Sequence, residues 1–382
     1  MNLCNDSTLI PKSINHYIFQ EQIGIGTFSY VWMANHEVTG MNVAIKVIPK
    51  LRIISPINSI RFEREVNFLK QLDHPFVAQL FEVFSDENYH YFVMELAENG
   101  NLLSYVNKTG KLMETTAQLY FIQLVSVLEY MHKEKKVAHR DLKAENVLLD
   151  RNMNIRLIDF GFSRSFSDED PNLITACGSP AYVPPEMLSK QPYTIAADIW
   201  SLGVLIYCIV VGHMPFEDST IQGILQKILF NEPIIPKFLS ANLQDLLKKM
   251  LEKNPEKRIT VDQIKNHPWF LSKTYNKIQN FVRQSKIFPS FTDEIKIDHH
   301  IEENMNKMGI DTISLKSSLL SHDFNEVLSQ YIMLFKNEQI DEMQTVMIRD
   351  VFKDHREDYS NICRSYHVPK LMKRSSSNLV NQ

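Results

Sequence analysis

One short polar run set in apolar surroundings constrains this chain more than any other feature. His139-Arg140-Asp141-Leu142-Lys143-Ala144-Glu145-Asn146 leads into an apolar strand, Val147–Leu149. A second such strand, Ile155–Ile158, leads into Asp159-Phe160-Gly161, which begins thirteen residues after Asn146. Two closely spaced segments therefore carry a carboxylate, an ammonium, an amide oxygen and a second carboxylate. Phosphoryl transfer needs that set. One carboxylate orients and deprotonates an attacking hydroxyl, while the other, with the amide oxygen, holds magnesium on phosphates.

The surrounding 382 residues are 44% hydrophobic and 23% charged, enough apolar material for a sizeable core and a length that suggests two or three domains. The net charge of -4 gives no reason to expect nucleic acid or an anionic membrane as partner. Cys4, Cys177, Cys208 and Cys363 are scattered without metal-ligand spacing and read as reduced thiols of a cytoplasmic protein, a nuclear one being possible. Residues 1–15 show no signal-peptide run. Ile199–Val211, the most apolar stretch, is too short for a membrane span, which takes about 20 apolar residues, and predicts a buried helix.

The hydrophobic period changes along the chain. Tyr17–Ile23, Tyr30–Asn35, Asn42–Ile48, Val77–Phe84 and Tyr89–Glu95 read as strands of a small antiparallel sheet. Between them Phe62, Val66 and Leu69 share a helical face over 59–72. Helices are predicted at 114–133, 196–211, 220–230 and 242–252. A sheet-rich half followed by a helix-rich half is an α+β architecture of two lobes with a cleft between them. Periodicity fades near Leu271. Residues 271–296 read as a linker, 297–336 as a compact helical module, and 337–382 as a partly disordered tail; residues 1–16 read as an N-terminal extension.

Gly24-Ile25-Gly26-Thr27-Phe28-Ser29-Tyr30-Val31 sits between two predicted strands, where glycines let main-chain N–H groups approach phosphate. The loop opens a hairpin and not a helix, which argues against a dinucleotide-binding fold. Val43-Ala44-Ile45-Lys46 places a lysine amid apolar strand residues, where it can pair with phosphates if a carboxylate holds it. Glu63 and Glu65, both on the 59–72 helix, are the candidates.

In this order the elements resemble the eukaryotic protein kinases over residues 17–270. Pro184-Pro185-Glu186, Asp198-Ile199-Trp200-Ser201-Leu202-Gly203 and Arg258 extend the resemblance, which pairs Arg258 with Glu186 and makes the 198–203 helix the anchor of the catalytic loop. It favours Glu65 as the partner of Lys46. It implies ATP and Mg2+ as cofactors, with Asp141 as base, Lys143 neutralising the transferring group, and Asn146 and Asp159 as metal ligands. The residues implied to contact ATP are Ile23 through Val31, Ala44, Lys46, Glu95, Asn101, Glu145, Asn146, Leu148 and Asp159.

Lys143 and Gly178-Ser179-Pro180-Ala181-Tyr182 resemble the serine/threonine kinases, so protein substrates carrying Ser or Thr are implied. Thr175-Ala176-Cys177-Gly178 resembles the calcium/calmodulin-dependent-like group, nearest the AMP-activated and microtubule-affinity-regulating branch. Thr175 then stands where an upstream activating kinase adds phosphate, with Arg140 and Arg164 placed to receive it. Met305, Met308-Gly309-Ile310, Leu315 and Phe324 resemble the ubiquitin-associated-like module of that branch, which packs on the kinase; a plain extension stabilising the large lobe is the alternative. Regulatory subunits are possible partners. Asn101 and Gln226 stand where acids that attract basic substrates are usual, so no strict arginine preference is implied. A scaffold that binds without transferring phosphate is the rival reading.

Overall fold

The computed structural model describes residues 11–26, 29–53, 56–160, 164–165, 180–189, 194–288 and 297–343. Thr27, Phe28, Gly161, Thr175 and the tail from 344 onward lie outside the described residues. What is described divides into two units, with boundaries between Glu98 and Asn99 and between Phe281 and Val282.

In the first unit, alternation builds a six-stranded antiparallel sheet from β1 (Ser13–Ile14), β2 (Tyr17–Ile25), β3 (Tyr30–His36), β4 (Asn42–Pro49), β5 (Leu80–Ser85) and β6 (Tyr89–Glu95). The spatial order is β1-β2-β3-β4-β6-β5. On β4, Val43, Ile45 and Val47 are fully buried on one face, while Ala44 and Lys46 share the other. The expected N-terminal extension, residues 1–16, contributes strand β1: Ser13 pairs with Ile18 and Ile14 with Tyr17. A two-residue strand is too short to show a period. Helix α1 (Pro56–Lys70) lies on β6, where Phe62 meets Phe92 edge to face at 5.4 Å.

The second unit is mostly helical: α2 (Leu102–Thr109), α3 (Glu114–Glu129, prolonged by a π-helical segment Tyr130–Lys135), α4 (Pro185–Leu188), α5 (Ile195–Val211), α6 (Ile221–Phe230), α7 (Ala241–Met250) and α8 (Val261–Lys265), with α9 (Ser272–Gln284) crossing the boundary. Two small antiparallel pairs interrupt it: β7 (Val137–Ala138) with β10 (Arg164–Ser165), and β8 (Val147–Leu149) with β9 (Ile155–Leu157). Helix α5 is buried without a break from Ala197 to Val210, as an all-round apolar helix must be. Thr194 caps its start and Gly212 ends it in the left-handed region at φ 94°. At Gly203 a Cβ would lie 3.0 Å from Met250 Cβ, so this glycine lets α7 approach α5 closely. No helix among the described residues is long and apolar enough to cross a membrane.

Helix α9 corrects the reading of 271–296 as a linker. Tyr275, Ile278, Phe281 and Val282 are buried at helical spacing, and Tyr275 donates its hydroxyl to Glu129. Intervening Lys, Asn and Gln residues hide this stripe in the sequence. Residues 289–296 lie outside the described residues.

The C-terminal helices α10 (His299–Lys307), α11 (Leu315–Ser321) and α12 (Glu326–Met343) belong to the first unit, which corrects the alternative that they extend the large lobe. Helix α12 also continues past the expected end at 336. Leu328, Ile332 and Met305 share one core with Tyr17, Val47 and Phe81 of the sheet. The Ser329 hydroxyl donates to the Phe81 carbonyl at 2.7 Å. Buried Asp73, just beyond α1, accepts the N–H groups of Ile287 at 2.8 Å and Phe288 at 2.9 Å. Lys336 of α12, 1% exposed, supplies opposing charge to that carboxylate. Asp73→Ala leaves a buried ammonium without its counter-charge and two N–H groups without an acceptor. We expect a loss of about 3–5 kcal/mol in unfolding free energy, read by urea titration; a loss within about 0.5 kcal/mol, the range of ordinary surface changes, would remove Asp73 as the clasp.

Candidate active site

Within the first unit, β2 and β3 bring the glycine loop together. The Gly26 N–H donates to the Ser29 carbonyl at 2.8 Å, and a Cβ on Gly26 would lie 2.7 Å from the Ser29 hydroxyl, which would have to move aside for any other residue. Ile23 and Ile25 are exposed, Ser29 is buried, and Tyr30 and Val31 are half-buried. Gly24 pairs with Val31, and Val31 with Lys46 on β4, so the loop and the lysine are cross-strand neighbours. Lys46 Nζ meets Glu65 Oε1 at 3.1 Å. Of the two glutamates, the geometry selects Glu65, while Glu63 faces outward as an exposed residue. Glu95 is buried, and its carboxylate accepts the Gln79 N–H at 3.1 Å. Its N–H donates in turn to the Gln79 carbonyl at 2.9 Å, so the two residues are held to each other.

Within the second unit, the catalytic loop is fixed by Asp198 of α5. The carboxylate accepts the His139 N–H at 2.9 Å on Oδ2 and the Arg140 N–H at 3.0 Å on Oδ1, and Oδ2 also meets His132 Nε2 at 2.8 Å. Burial alone works against the charge on Asp198. The His132 hydrogen bond, the nearby His132 and His139 rings and the Arg140 N–H outweigh it and hold the carboxyl at about 2. Arg140 itself sits in the left-handed region at φ 69°. That strain turns the chain so that two successive N–H groups face one carboxylate.

Asp141 is nearly buried, and both of its side-chain partners fall on one oxygen. Lys143 Nζ lies 2.6 Å and Asn146 Nδ2 2.9 Å from Oδ2. Asn146 Nδ2 also donates to the Asp141 carbonyl at 2.8 Å. With both amide hydrogens spent on Asp141, Asn146 is left presenting its oxygen, a hard donor of the kind magnesium takes. Asp159 is exposed and left-handed at φ 65°; its carboxylate, with no hydrogen bond or ion pair among the described residues, fits the same ion. Phe160 next to it is 2% exposed and meets the His139 ring edge-on at 5.0 Å.

Leu148 and Glu145 are partly exposed beside Asp141 in the chain. Asn101 bridges to Leu148 in the main chain, but its side-chain oxygen accepts the Ser104 N–H at 2.8 Å. Asn101, which the resemblance implies as an ATP contact, is the N-cap of α2. The expected pair Arg258–Glu186 is bidentate at 2.7 and 2.8 Å and buried. Strand β10 sets the main chain of Arg164 beside Ala138; the Arg164 side chain, like Thr175, lies outside the described residues.

Sequence reasoning missed His132 as a structural partner of the loop. The signal was a histidine inside the apolar helix Tyr130-Met131-His132, but nothing local pointed to Asp198, 66 positions away.

The protein kinase domain family matches residues 17–270. This chain belongs to the protein kinase family. Among its relatives, the serine/threonine-protein kinase SIK2 of Gallus gallus is 36% identical over 330 residues, 85% of this chain and 40% of the chicken protein. The SNF1-related protein kinase catalytic subunit alpha KIN12 of Arabidopsis thaliana is 34% identical over 89% of this chain and 67% of its own length. CBL-interacting protein kinase 11 of Oryza sativa is 40% identical over 67% of this chain and 52% of its own. The kinase thus falls in the SNF1/AMPK-related serine/threonine group, and its match spans 40% to 67% of these relatives.

The Asp198 contacts carry a pH signature. A carboxyl held below its ordinary value of 3.8 contributes stability that is fully present above 3.8 and disappears as pH falls through about 2. The contribution is roughly 2 kcal/mol at neutral pH. We therefore expect wild-type unfolding free energy to drop by about that amount between pH 4 and pH 2 relative to Asp198→Asn, which has no carboxyl to titrate. Denaturant titrations across that range check it, and parallel curves for the two proteins would contradict it.

Proposed function

We propose that this chain is an active serine/threonine protein kinase that transfers the γ-phosphoryl group of ATP to protein hydroxyls. The observation that carries the reading is the Asp141 carboxylate, with Lys143 and Asn146 both on Oδ2. Oδ1 is then the oxygen left to accept a Ser or Thr hydroxyl proton. As the substrate oxygen bonds to the γ-phosphorus, the bond from that phosphorus to the β–γ bridging oxygen breaks and ADP leaves. Lys143 stands beside the base, where an ammonium offsets negative charge on the group in transit. Magnesium bound at Asn146 Oδ1 and Asp159 would neutralise phosphate charge. Lys46, held by Glu65, is placed to pair with ATP phosphates, and Gly24 and Gly26 give the main chain close access to them.

Phosphate on Thr175 is part of the same proposal. It would order the activation segment through Arg140 and Arg164. The C-terminal helices are read as a ubiquitin-associated-like module that tunes the kinase. Support comes from their seat on the end of α1, the helix carrying Glu65: Asp73 holds the chain at Ile287 and Phe288, and Lys70 Nζ lies over the Phe324 ring at 5.5 Å. Scattered thiols and ordinary net charge suit the cytoplasm.

Purified protein with ATP, Mg2+ and a Ser/Thr peptide library tests the reaction. Asp141→Asn is expected to lower phosphate incorporation about 10²- to 10⁴-fold. Equal incorporation by wild type and variant would favour the scaffold reading. Thr175→Ala is expected to cost about 10- to 100-fold after treatment with an activating kinase, the worth of a charge-assisted hydrogen bond. Full activity in that variant would remove Thr175 from the account.

A further inference from the structure

Away from the catalytic residues, the first unit holds a cavity of about 340 Å3 where the sheet meets α12. Tyr17 of β2, His36 of β3 and Glu82 of β5 form one wall; Glu326 and Ser329 of α12 form the other. That volume is at the lower end of ligand sites, about 300–1,000 Å3.

Three features of the lining define what fits. Glu82 spends one oxygen on the Tyr17 hydroxyl at 2.7 Å, and its Oε1 makes no hydrogen bond with the described residues. Glu326 pairs through Oε1 with His16 at 3.1 Å, and its Oε2 likewise has no partner among them. Asn15 and His16 complete the lining, and among the described residues neither lysine nor arginine belongs to it. The third feature is His36, only 2% exposed. Its Nδ1 accepts the Thr39 N–H at 3.2 Å, which puts the ring proton on Nε2. Nε2 has no partner among the described residues, and His36 is one of the residues lining the cavity, so this N–H is open to a ligand there. Burial, then the neighbouring His16, lowers this ring to about 4, so it donates as a neutral imidazole and does not repel a cation. The Tyr17 ring, 5.0 Å from His36, adds aromatic surface of the kind that attracts positive charge.

We propose that this cavity binds a small organic ammonium ion that also carries a hydrogen-bond acceptor, an amino alcohol or amino amide, with its cationic end at Glu82 and Glu326 and its acceptor on His36 Nε2. The two carboxylates select the charge, and the His36 donor selects the second group. Because the walls come from β2, β3 and β5 on one side and α12 on the other, the bound ion ties the C-terminal helices to the sheet. Binding to the folded form alone raises thermal stability in proportion to occupancy.

The test uses the full chain and four probes of one skeleton, 4-aminobutanol, 1,4-butanediol, 4-hydroxybutanoate and butylamine. Binding is read by calorimetry and by NMR of the His36 ring. We expect saturable binding of 4-aminobutanol with a raised Tm and a shifted His36 signal. Butylamine should bind about tenfold more weakly, the diol and the hydroxy acid not at all. Glu82→Gln and Glu326→Gln should each lower affinity about tenfold. Glu326 is half-exposed, so its variant decides the matter even if Glu82→Gln fails to fold. No saturable binding of 4-aminobutanol, equal binding of the diol, or undiminished affinity in Glu326→Gln would each overturn the proposal.

Discussion

The catalytic loop depends on one buried carboxylate. Asp198 collects the N–H groups of His139 and Arg140 and the ring of His132, so α5 dictates where Asp141 stands. Main-chain donors cannot swing as side chains do, and a helix buried from Ala197 to Val210 cannot move far without disturbing the core. The left-handed turn at Arg140 is held by these contacts, and it sets the next residue, Asp141, where Lys143 and Asn146 converge on a single oxygen.

The same device recurs where the chain must be fixed without regular pairing. Asp150 accepts the N–H groups of Asn152 and Asn154 at 2.8 and 2.9 Å, pairs with Arg156 at 3.0 Å, and closes the turn from β8 to β9. Asp73 does so for Ile287 and Phe288, and Glu95 for Gln79. A buried ion is costly unless it is fully hydrogen-bonded. Each of these carboxylates offsets part of that cost by receiving main-chain N–H groups, and each thereby fixes one local geometry. In the first unit the result is that the end of α1, and with it the helix carrying Glu65, shares its clasp with the C-terminal helices.

Much of this was legible in the chain. Strand β6 matches its predicted bounds, α5 starts one residue early, and Glu65 meets Lys46 as the resemblance implied. These features rest on local periods or on residues a few positions apart. The misses share a cause. Helix α9 keeps its apolar stripe among polar neighbours, β1 is too short to show a period, and Asn101 is a helix cap. His132 and Asp73 find partners 66 and more than 200 positions away.

The sequence by itself determined the chemistry: which groups are available, in what order, and that they suit moving a phosphoryl group. Those groups are side-chain types, and spacing along the chain reports them. Only the tertiary structure decided which oxygen of Asp141 stays available, that Asp198 and His132 hold the loop, and that the C-terminal helices share a core with the sheet. It alone enclosed the cavity beneath α12. Each of these is a meeting of residues far apart in sequence, set by packing and by the need to satisfy buried polar groups, and neither leaves a local pattern in the chain.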